Sequence, residues 1–186
     1  MKIGIDIDDT ITNTWECFIP DYSILFDIPE EILKTSKPYY ESVKHKVTIN
    51  EYFKRIVSIY DKVTPNIILK DNVKEVIDKL YELGHTVTFI TARGKDHSDP
   101  YQVSKDFLDK HKIKYEKIIV NANNKAKVCQ EESINLFIDD SPKHCLSVLN
   151  TDTEVLCFET YYNKDIKELK HMKNWNEIYE YIKSRW

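Results

Sequence analysis

The chain has 186 residues, of which 41% are hydrophobic and 31% charged, and its formal net charge is −4. This size and composition predict one sizeable core, with room for an elaboration on a single globular domain. Because the net charge is negative, the sequence predicts no global electrostatic field that would favour nucleic acid or an anionic membrane as a partner.

Five short apolar runs predict β-strands, and helical patterns separate most of them. This alternation predicts a parallel sheet with helices on both faces, which is a Rossmann-like three-layer α/β/α core. The five predicted strands are Lys2–Ile7, Thr86–Thr91, Lys117–Val120, Asn135–Asp139 and Glu154–Phe158.

Three helices are predicted from the spacing of apolar residues. The first covers about residues 50–63, and Thr48 and Glu51 have the spacing of a capping box at its start. The second covers about residues 73–81 and leads into the second strand. The third follows Asn174 near the end of the chain.

The stretch between the first two predicted strands is too long for a crossover loop. It is helical in pattern and rich in aromatic residues, and it predicts a small helical cap at residues 14–69, inserted after the first strand. Residues 1–13 and 70–186 would then form the core. The aromatic residues of the predicted cap include Trp15, Phe18, Tyr22, Tyr39, Tyr40 and Tyr52.

Polar side chains fall at the ends of three predicted strands. In an open parallel sheet, ligands bind beyond the carboxyl ends of the strands. Asp6 and Asp8 end the first strand, and the alternation of side chains predicts that both point the same way. Thr91 and Arg93 end the second strand, and the acid pair at 139–140 ends the fourth. The sequence therefore predicts one site built from all three ends.

This arrangement would bring together four carboxylates, those of Asp6, Asp8, Asp139 and Asp140, with too few nearby basic residues to neutralise them. Packed like charges are costly unless a cation lies among them. A set of oxygen ligands that must also bridge to phosphate favours magnesium. The sequence therefore predicts a Mg²⁺ site at this edge of the sheet.

These residues resemble the four motifs of the haloacid dehalogenase-like superfamily, in the same order. Asp-Ile-Asp-Asp-Thr follows the first strand, Thr91 ends the second, a lysine begins a later helix, and Phe-Ile-Asp-Asp ends another strand. The resemblance spans the core, and many members carry a helical cap between the first two motifs. The short cap, the Thr-Ala-Arg-Gly turn and the Trp-Asn-Glu-Ile ending most resemble the 5'-nucleotidase and deoxyribonucleotidase group and its uncharacterised bacterial relatives.

The resemblance implies a Mg²⁺-dependent phosphomonoester hydrolase with an aspartyl-phosphate intermediate. Asp6 would attack phosphorus. Asp8 would act first as general acid and then as general base, and crowding by other carboxylates is expected to raise its pKa. Asp6, the backbone carbonyl of Asp8 and Asp140 would hold the metal. Thr91 and Lys125 would bind the transferring oxygens.

Two of these assignments have alternatives. The lysine could be Lys125 or Lys127, and Lys125 is favoured because Asn124 can cap a helix that begins there. The resemblance implies that Asp140 contacts the metal while Asp139 orients the lysine or a metal-bound water, but these two roles could be exchanged.

The expected substrate is a small phosphorylated metabolite, specifically a nucleoside or deoxynucleoside monophosphate. Trp15, Phe18 or Tyr22 could stack on its base, although core packing is the usual role of aromatic residues at helical spacing. Arg93 could contact phosphate or a substrate hydroxyl, or form a structural ion pair. The main alternative is a sugar-phosphate or other small-metabolite phosphatase. A phosphatase of nucleic-acid ends and a catalytically silent binding protein are less favoured.

The location expected from the sequence is the cytoplasm, since the first ten residues contain acids and no apolar run is long enough to span a bilayer. None of the six histidines has metal-ligand spacing, and none is predicted to be catalytic. The cysteines lack C-x-x-C spacing, which predicts reduced, mostly buried thiols rather than a zinc site or a redox dithiol. They are Cys17, Cys129, Cys145 and Cys157.

Overall fold

The computed structural model describes residues 1–35, 43–95 and 97–186. In this part of the chain, six parallel strands form one sheet in the order β3-β2-β1-β4-β5-β6. The strands are β1 (Lys2–Ile5), β2 (Thr86–Ile90), β3 (Lys117–Ile119), β4 (Leu136–Asp139), β5 (Glu154–Phe158) and β6 (His171–Met172).

Eight α-helices are present in the same residues. They are α1 (Thr14–Phe26), α2 (Glu30–Leu33), α3 (Ile49–Val63), α4 (Val73–Glu82), α5 (Pro100–Lys110), α6 (Lys125–Glu131), α7 (Pro142–Val148) and α8 (Trp175–Arg185), and a 3₁₀ turn (Thr64–Asn66) follows α3. Tyr39 and Tyr40 of the predicted cap lie outside the described residues.

The predicted parallel α/β architecture is confirmed, and all five predicted strands are present. The first ends at Ile5 rather than Ile7, because the chain turns toward Asp9, whose φ is +60°. The sequence analysis missed β6, since a strand of two residues shows no alternation. The capping box at Thr48 and Glu51 is confirmed at the start of α3.

Helices cover both faces of the sheet, as side-chain alternation along buried strands requires. Ile3 and Ile5 of β1 face α4, α5 and α8 in one apolar cluster, which also includes the buried side chains of α1 and α3. Phe137 of β4 faces a second cluster on the opposite side, which contains Cys129 of α6 and Cys145 of α7. The central strands are therefore buried on both sides.

A short antiparallel contact marks where the chain leaves the sheet and returns to it. Thr12 pairs with Leu69, the amide of Asn13 donates to the carbonyl of Ile68 at 3.0 Å, and the amide of Lys70 donates to that of Ile11 at 2.9 Å. Helices α1, α2 and α3 lie between these two segments. The division into a core and a cap at 14–69 stays a prediction, and this contact supports it.

We expect a side chain at Gly4 to overpack the second cluster. A Cβ there would lie 2.9 Å from Cδ1 of Ile90 and 3.0 Å from Cδ2 of Phe137. Gly4→Ala should therefore lower the free energy of unfolding by about 1–3 kcal/mol, measured by urea denaturation. Ile90→Val removes the nearer carbon, so Gly4→Ala should cost less in that background. Equal costs in both backgrounds would contradict this packing.

Candidate active site

The order of the strands places the candidate residues at one point of the sheet edge. From β1 the chain continues to β2 and β3 on one side, while β4, β5 and β6 lie on the other. Asp6 follows β1, Thr91 follows β2 and Asp139 ends β4, so their side chains meet where the winding direction changes. Together with Asp8, Arg93, Lys125 and Asp140, these three line a cavity of 610 Å³.

Lys125 lies between two buried carboxylates. Its Nζ atom donates to Oδ1 of Asp6 and to Oδ2 of Asp139, both at 2.6 Å, and its side chain is 1% exposed. Lys125 begins α6, which is capped by the Asn124 side chain as predicted. Lys127 points away from the site, with a side chain that is 68% exposed. The helix start therefore delivers Lys125, and not Lys127, to the cavity.

Three carboxylates lie close enough together to share a cation. One oxygen each of Asp6, Asp139 and Asp140 lies within 4.8 Å of the others, and all three residues are buried. Burial raises the pKa of Asp6 to about 7, although Lys125 opposes the shift, and Asp139 and Asp8 add to it. The pKa of Asp139 is also raised, by burial and then by Asp140, again against Lys125. One lysine does not balance this charge, and an oxygen donor set with excess negative charge fits Mg²⁺.

The pKa of Asp8 differs from the value expected from the sequence. Burial alone would raise its pKa, but Arg93 holds the pKa of this carboxyl well below its usual range. Nε and Nη2 of Arg93 donate to the two carboxylate oxygens, both at 2.8 Å, and the Thr14 hydroxyl donates to Oδ1 at 2.7 Å. The prediction that crowding raises the pKa of Asp8 is wrong, since the contact with the buried Arg93 outweighs the effect of burial.

Arg93 itself is 2% exposed, and its Nη1 donates to Ser104 Oγ at 3.3 Å. Arg93 therefore forms an ion pair with Asp8. A structural ion pair was one of the two roles that the sequence allowed for Arg93, the other being a substrate contact. The turn that carries Arg93 is tightly packed, because a Cβ at Gly94 would lie 2.4 Å from Oδ1 of Asn121. A side chain at this position would therefore require the exposed Asn121 side chain to move.

Asp140 is bound on both carboxylate oxygens. Thr10 Oγ1 donates to Oδ1 at 3.0 Å, and the hydroxyl of Tyr162 donates to Oδ2. Asn163 Nδ2 donates to the Asp140 carbonyl at 2.8 Å. Asp139, in contrast, accepts from Lys125 and from the amide of Ser141, the latter at 2.7 Å. The two neighbouring acids thus have different partners.

The aromatic residues proposed to stack on a base are buried among the helices of the predicted cap. Trp15, Phe18 and Tyr22 are 8%, 3% and 2% exposed. Trp15 Nε1 donates to the carbonyl of Leu33 at 2.9 Å. None of these three side chains lines the cavity, so their placement corresponds to the packing alternative. Tyr60, on α3, lines the cavity instead.

Tyr60, His144 and Tyr162 also line the cavity, and the sequence motifs do not predict them. Tyr60 lies on α3 at helical spacing from apolar residues, which is typical of core packing, and its ring packs on His97, with centroids 4.0 Å apart, and on Phe18 at 4.3 Å. His144, like the other histidines, has no metal-ligand spacing in the sequence. Burial, followed by Lys125 and Lys143, lowers its pKa to about 4. Its position as the third residue of α7, close to the acid pair in the sequence, was the available signal.

The chain also matches known proteins over its whole length. The family model described as "5' nucleotidase, deoxy (Pyrimidine), cytosolic type C protein" matches residues 1–185. The chain belongs to this family. The resemblance to the haloacid dehalogenase-like superfamily and its 5'-nucleotidase group is thereby confirmed. The protein is a phosphatase of the haloacid dehalogenase type. In the described residues, no helix is long and apolar enough to cross a membrane.

Individual relatives agree with this family. A nucleotidase of Clostridium acetobutylicum is 28% identical over 188 residues, which cover 96% of this chain and 92% of the relative. The crystal structure of "a predicted phosphatase from Clostridium acetobutylicum" superposes with a TM-score of 0.75 at 16% identity and covers 98% of both chains. A HAD-superfamily hydrolase from Geobacter sulfurreducens gives a TM-score of 0.61 at 16% identity, covering 97% and 98% of the chains. The two structures support the fold.

The raised pKa of Asp6 predicts a pH-dependent stability in metal-free protein. Between about pH 4 and 7 the folded protein keeps a proton on Asp6 that the unfolded chain has lost, so this group stabilises the fold at low pH and the stabilisation disappears as the pH rises through 7. In EDTA, raising the pH from about 5 to about 7.5 should lower the unfolding free energy of the wild type relative to Asp6→Asn, by on the order of 2 kcal/mol.

Urea denaturation of both proteins at the two pH values measures this difference. The histidines with lowered pKa, His85, His111 and His144, are common to both proteins, so their contribution cancels. A difference that does not change with pH, or that changes in the opposite direction, would contradict the assigned pKa of Asp6.

Proposed function

We propose that this nucleotidase-family phosphatase hydrolyses nucleoside and deoxynucleoside monophosphates through an aspartyl-phosphate at Asp6, with Mg²⁺ as cofactor. The observation that carries the proposal is the position of Asp6 at the tip of β1, 2.6 Å from Lys125 and within 4.8 Å of Asp139 and Asp140 oxygens. A buried carboxylate beside a lysine and a candidate metal site is suited to attack phosphorus.

The reaction would proceed in two displacements. A carboxylate oxygen of Asp6 forms a bond to phosphorus, the ester P–O bond breaks, and the leaving oxygen takes a proton from Asp8. Water then attacks phosphorus, Asp8 accepts a proton from that water, and the bond between phosphorus and Asp6 breaks. Phosphate is released and both carboxyl groups return to their starting states.

The Arg93 ion pair favours one of the two roles of Asp8. An ionised carboxylate is ready to act as the base in the second displacement, and Arg93 keeps Asp8 ionised here. Donation of a proton in the first displacement requires a protonated Asp8. The acid step therefore requires that the contact with Arg93 weakens when substrate is present.

The carboxylates of Asp6 and Asp140 and the backbone carbonyl of Asp8 would hold Mg²⁺. When bound, the ion would supply positive charge that offsets the negative charge of the nucleophile and the phosphate. Asp139 accepts hydrogen bonds from Lys125 and Ser141, which supports a role in orienting the lysine rather than in binding the metal.

Two residues would bind the transferring phosphoryl oxygens. Lys125 presents its ammonium group to the cavity, and Thr91, 1% exposed, lies at the end of β2 on the cavity wall. Its Oγ1 accepts from the amide of Arg93 at 3.2 Å, so the hydroxyl proton is directed elsewhere and can be donated to phosphate. These donors would stabilise charge that develops on the phosphoryl group.

The leaving group would lie toward the cap. The ring of Tyr60 lines that side of the cavity and offers an aromatic surface on which a nucleobase can pack. Membership of the 5'-nucleotidase family and the name of the Clostridium acetobutylicum relative support a nucleoside monophosphate as the substrate class.

A phosphatase assay tests both the reaction and the substrate. We expect Mg²⁺-dependent release of phosphate, abolished by EDTA, with higher kcat/KM for ribo- and deoxyribonucleoside monophosphates than for sugar phosphates, a generic phosphate monoester or a 3'-phosphorylated oligonucleotide. Activity that survives EDTA would refute the metal dependence. A flat response to nucleotides, with a preference for sugar phosphates, would overturn the substrate class and leave the phosphatase reaction intact.

Variants of one helix separate the site from its surroundings. Lys125→Met removes the ammonium group that contacts Asp6 and should lower kcat by roughly 100- to 1000-fold, whereas Lys127→Met changes an exposed lysine on the same helix and should keep the wild-type rate. Asp6→Asn should have no detectable turnover. If Lys127→Met loses as much activity as Lys125→Met, the assignment of the lysine is wrong. Thermal unfolding of each variant checks that it is folded.

A further inference from the structure

The loop after β5 contacts Asp140 through a residue without an assigned role. The Tyr162 hydroxyl donates to Oδ2 of Asp140, while Thr10 Oγ1 donates to Oδ1 at 3.0 Å. Thr10 Oγ1 also accepts from the Asp140 amide at 3.0 Å. Two hydroxyl groups from opposite sides of the strand tip thus fix the plane of one carboxylate.

The loop that carries Tyr162 is fastened to the same strand tip. Asn163 is fully buried, and its Nδ2 donates to the carbonyls of Asp140 and Phe158, both at 2.8 Å. Its Oδ1 accepts from the amide of Thr160 at 2.8 Å. The loop next to Tyr162 therefore cannot shift without breaking the hydrogen bonds of Asn163 to Asp140 and Phe158, and these bonds hold the Tyr162 hydroxyl beside the carboxylate.

We infer that Tyr162 is a positioning residue that orients the Asp140 carboxylate for Mg²⁺, an inference that rests on the proposed function. A carboxylate offers about four lone-pair sites, so one hydroxyl donor on each oxygen leaves lone pairs for a metal. A ligand whose rotamer is already fixed loses less conformational entropy on binding the ion. Hydrogen-bond partners of metal ligands commonly change metal affinity by about 10- to 100-fold when removed.

The neighbouring Tyr161 provides a matched control. Its ring packs edge-on against that of Tyr162, with centroids 5.0 Å apart, and it is 38% exposed. Tyr161→Phe removes a hydroxyl from the same loop and keeps the ring, as Tyr162→Phe does. A loop that is merely weakened by losing a hydroxyl would respond to both changes, whereas the positioning role responds to Tyr162→Phe alone.

The test is a titration of metal-free protein with MgCl₂ by isothermal calorimetry, without substrate. Tyr162→Phe should weaken Mg²⁺ binding by about 10- to 100-fold, and Tyr161→Phe should bind Mg²⁺ as the wild type does. In phosphatase assays, the Mg²⁺ concentration for half-maximal rate should rise for Tyr162→Phe by the same factor, and raising Mg²⁺ should recover the lost rate. Thr10→Val removes the other donor and should weaken Mg²⁺ binding as well.

Unchanged Mg²⁺ affinity in a folded Tyr162→Phe protein, or a rate loss that high Mg²⁺ does not recover, would overturn the positioning role while the proposed function stands. A wild-type protein that binds no Mg²⁺ would overturn the metal dependence and this inference together. Thermal unfolding shows whether each variant is folded. If Tyr162→Phe is unfolded, wild-type Mg²⁺ affinity in Thr10→Val would overturn the inference that the two hydroxyl groups orient Asp140 for Mg²⁺.

Discussion

The contact of Lys125 with Asp6 and Asp139 is the interaction on which the site depends. Its ammonium group lies 2.6 Å from an oxygen of each acid in the buried interior, where one cation faces two anions and a third, Asp140, lies nearby. Unbalanced buried charge is costly. The pKa values of Asp6 and Asp139 are raised, and protonation of these acids reduces the cost. A divalent cation would reduce it while the acids stay ionised. Stability and protonation are therefore linked at these residues, and binding of a metal there would be linked to both.

A second buried cation, Arg93, gives Asp8 a pKa shift opposite to that of Asp6. Arg93 pairs with Asp8 through two hydrogen bonds and lowers its pKa, while burial raises that of Asp6 two residues earlier. Two acids on one strand tip thus have different environments, which suits a proposed nucleophile and a proposed acid-base group. This difference in pKa requires a charged arginine buried in the protein interior. The Thr14 hydroxyl also donates a hydrogen bond to Asp8.

The central features of fold and site could be predicted because they follow local rules. The alternation of apolar runs with helical patterns predicts the parallel sheet, and Asn124 predicts the start of the helix that carries Lys125. Nonlocal features were not predictable in the same way. Side-chain alternation along β1 does not predict that Arg93, from the turn after β2, contacts Asp8, so the predicted direction of the Asp8 pKa shift is wrong. Tyr162 lies in a loop without a motif, and helical spacing does not tell which cap aromatic faces the cavity.

The central claim is that the carboxylate beside Lys125 forms a covalent bond to phosphorus. Rapid acid quenching during turnover of a nucleoside monophosphate in Mg²⁺, followed by mass spectrometry of the peptides, tests this claim most directly. The account predicts the added mass of one phosphoryl group on the peptide that contains Asp6, and its absence in Asp6→Asn. A phosphoryl group on a different residue, or turnover with none on the enzyme, would contradict it.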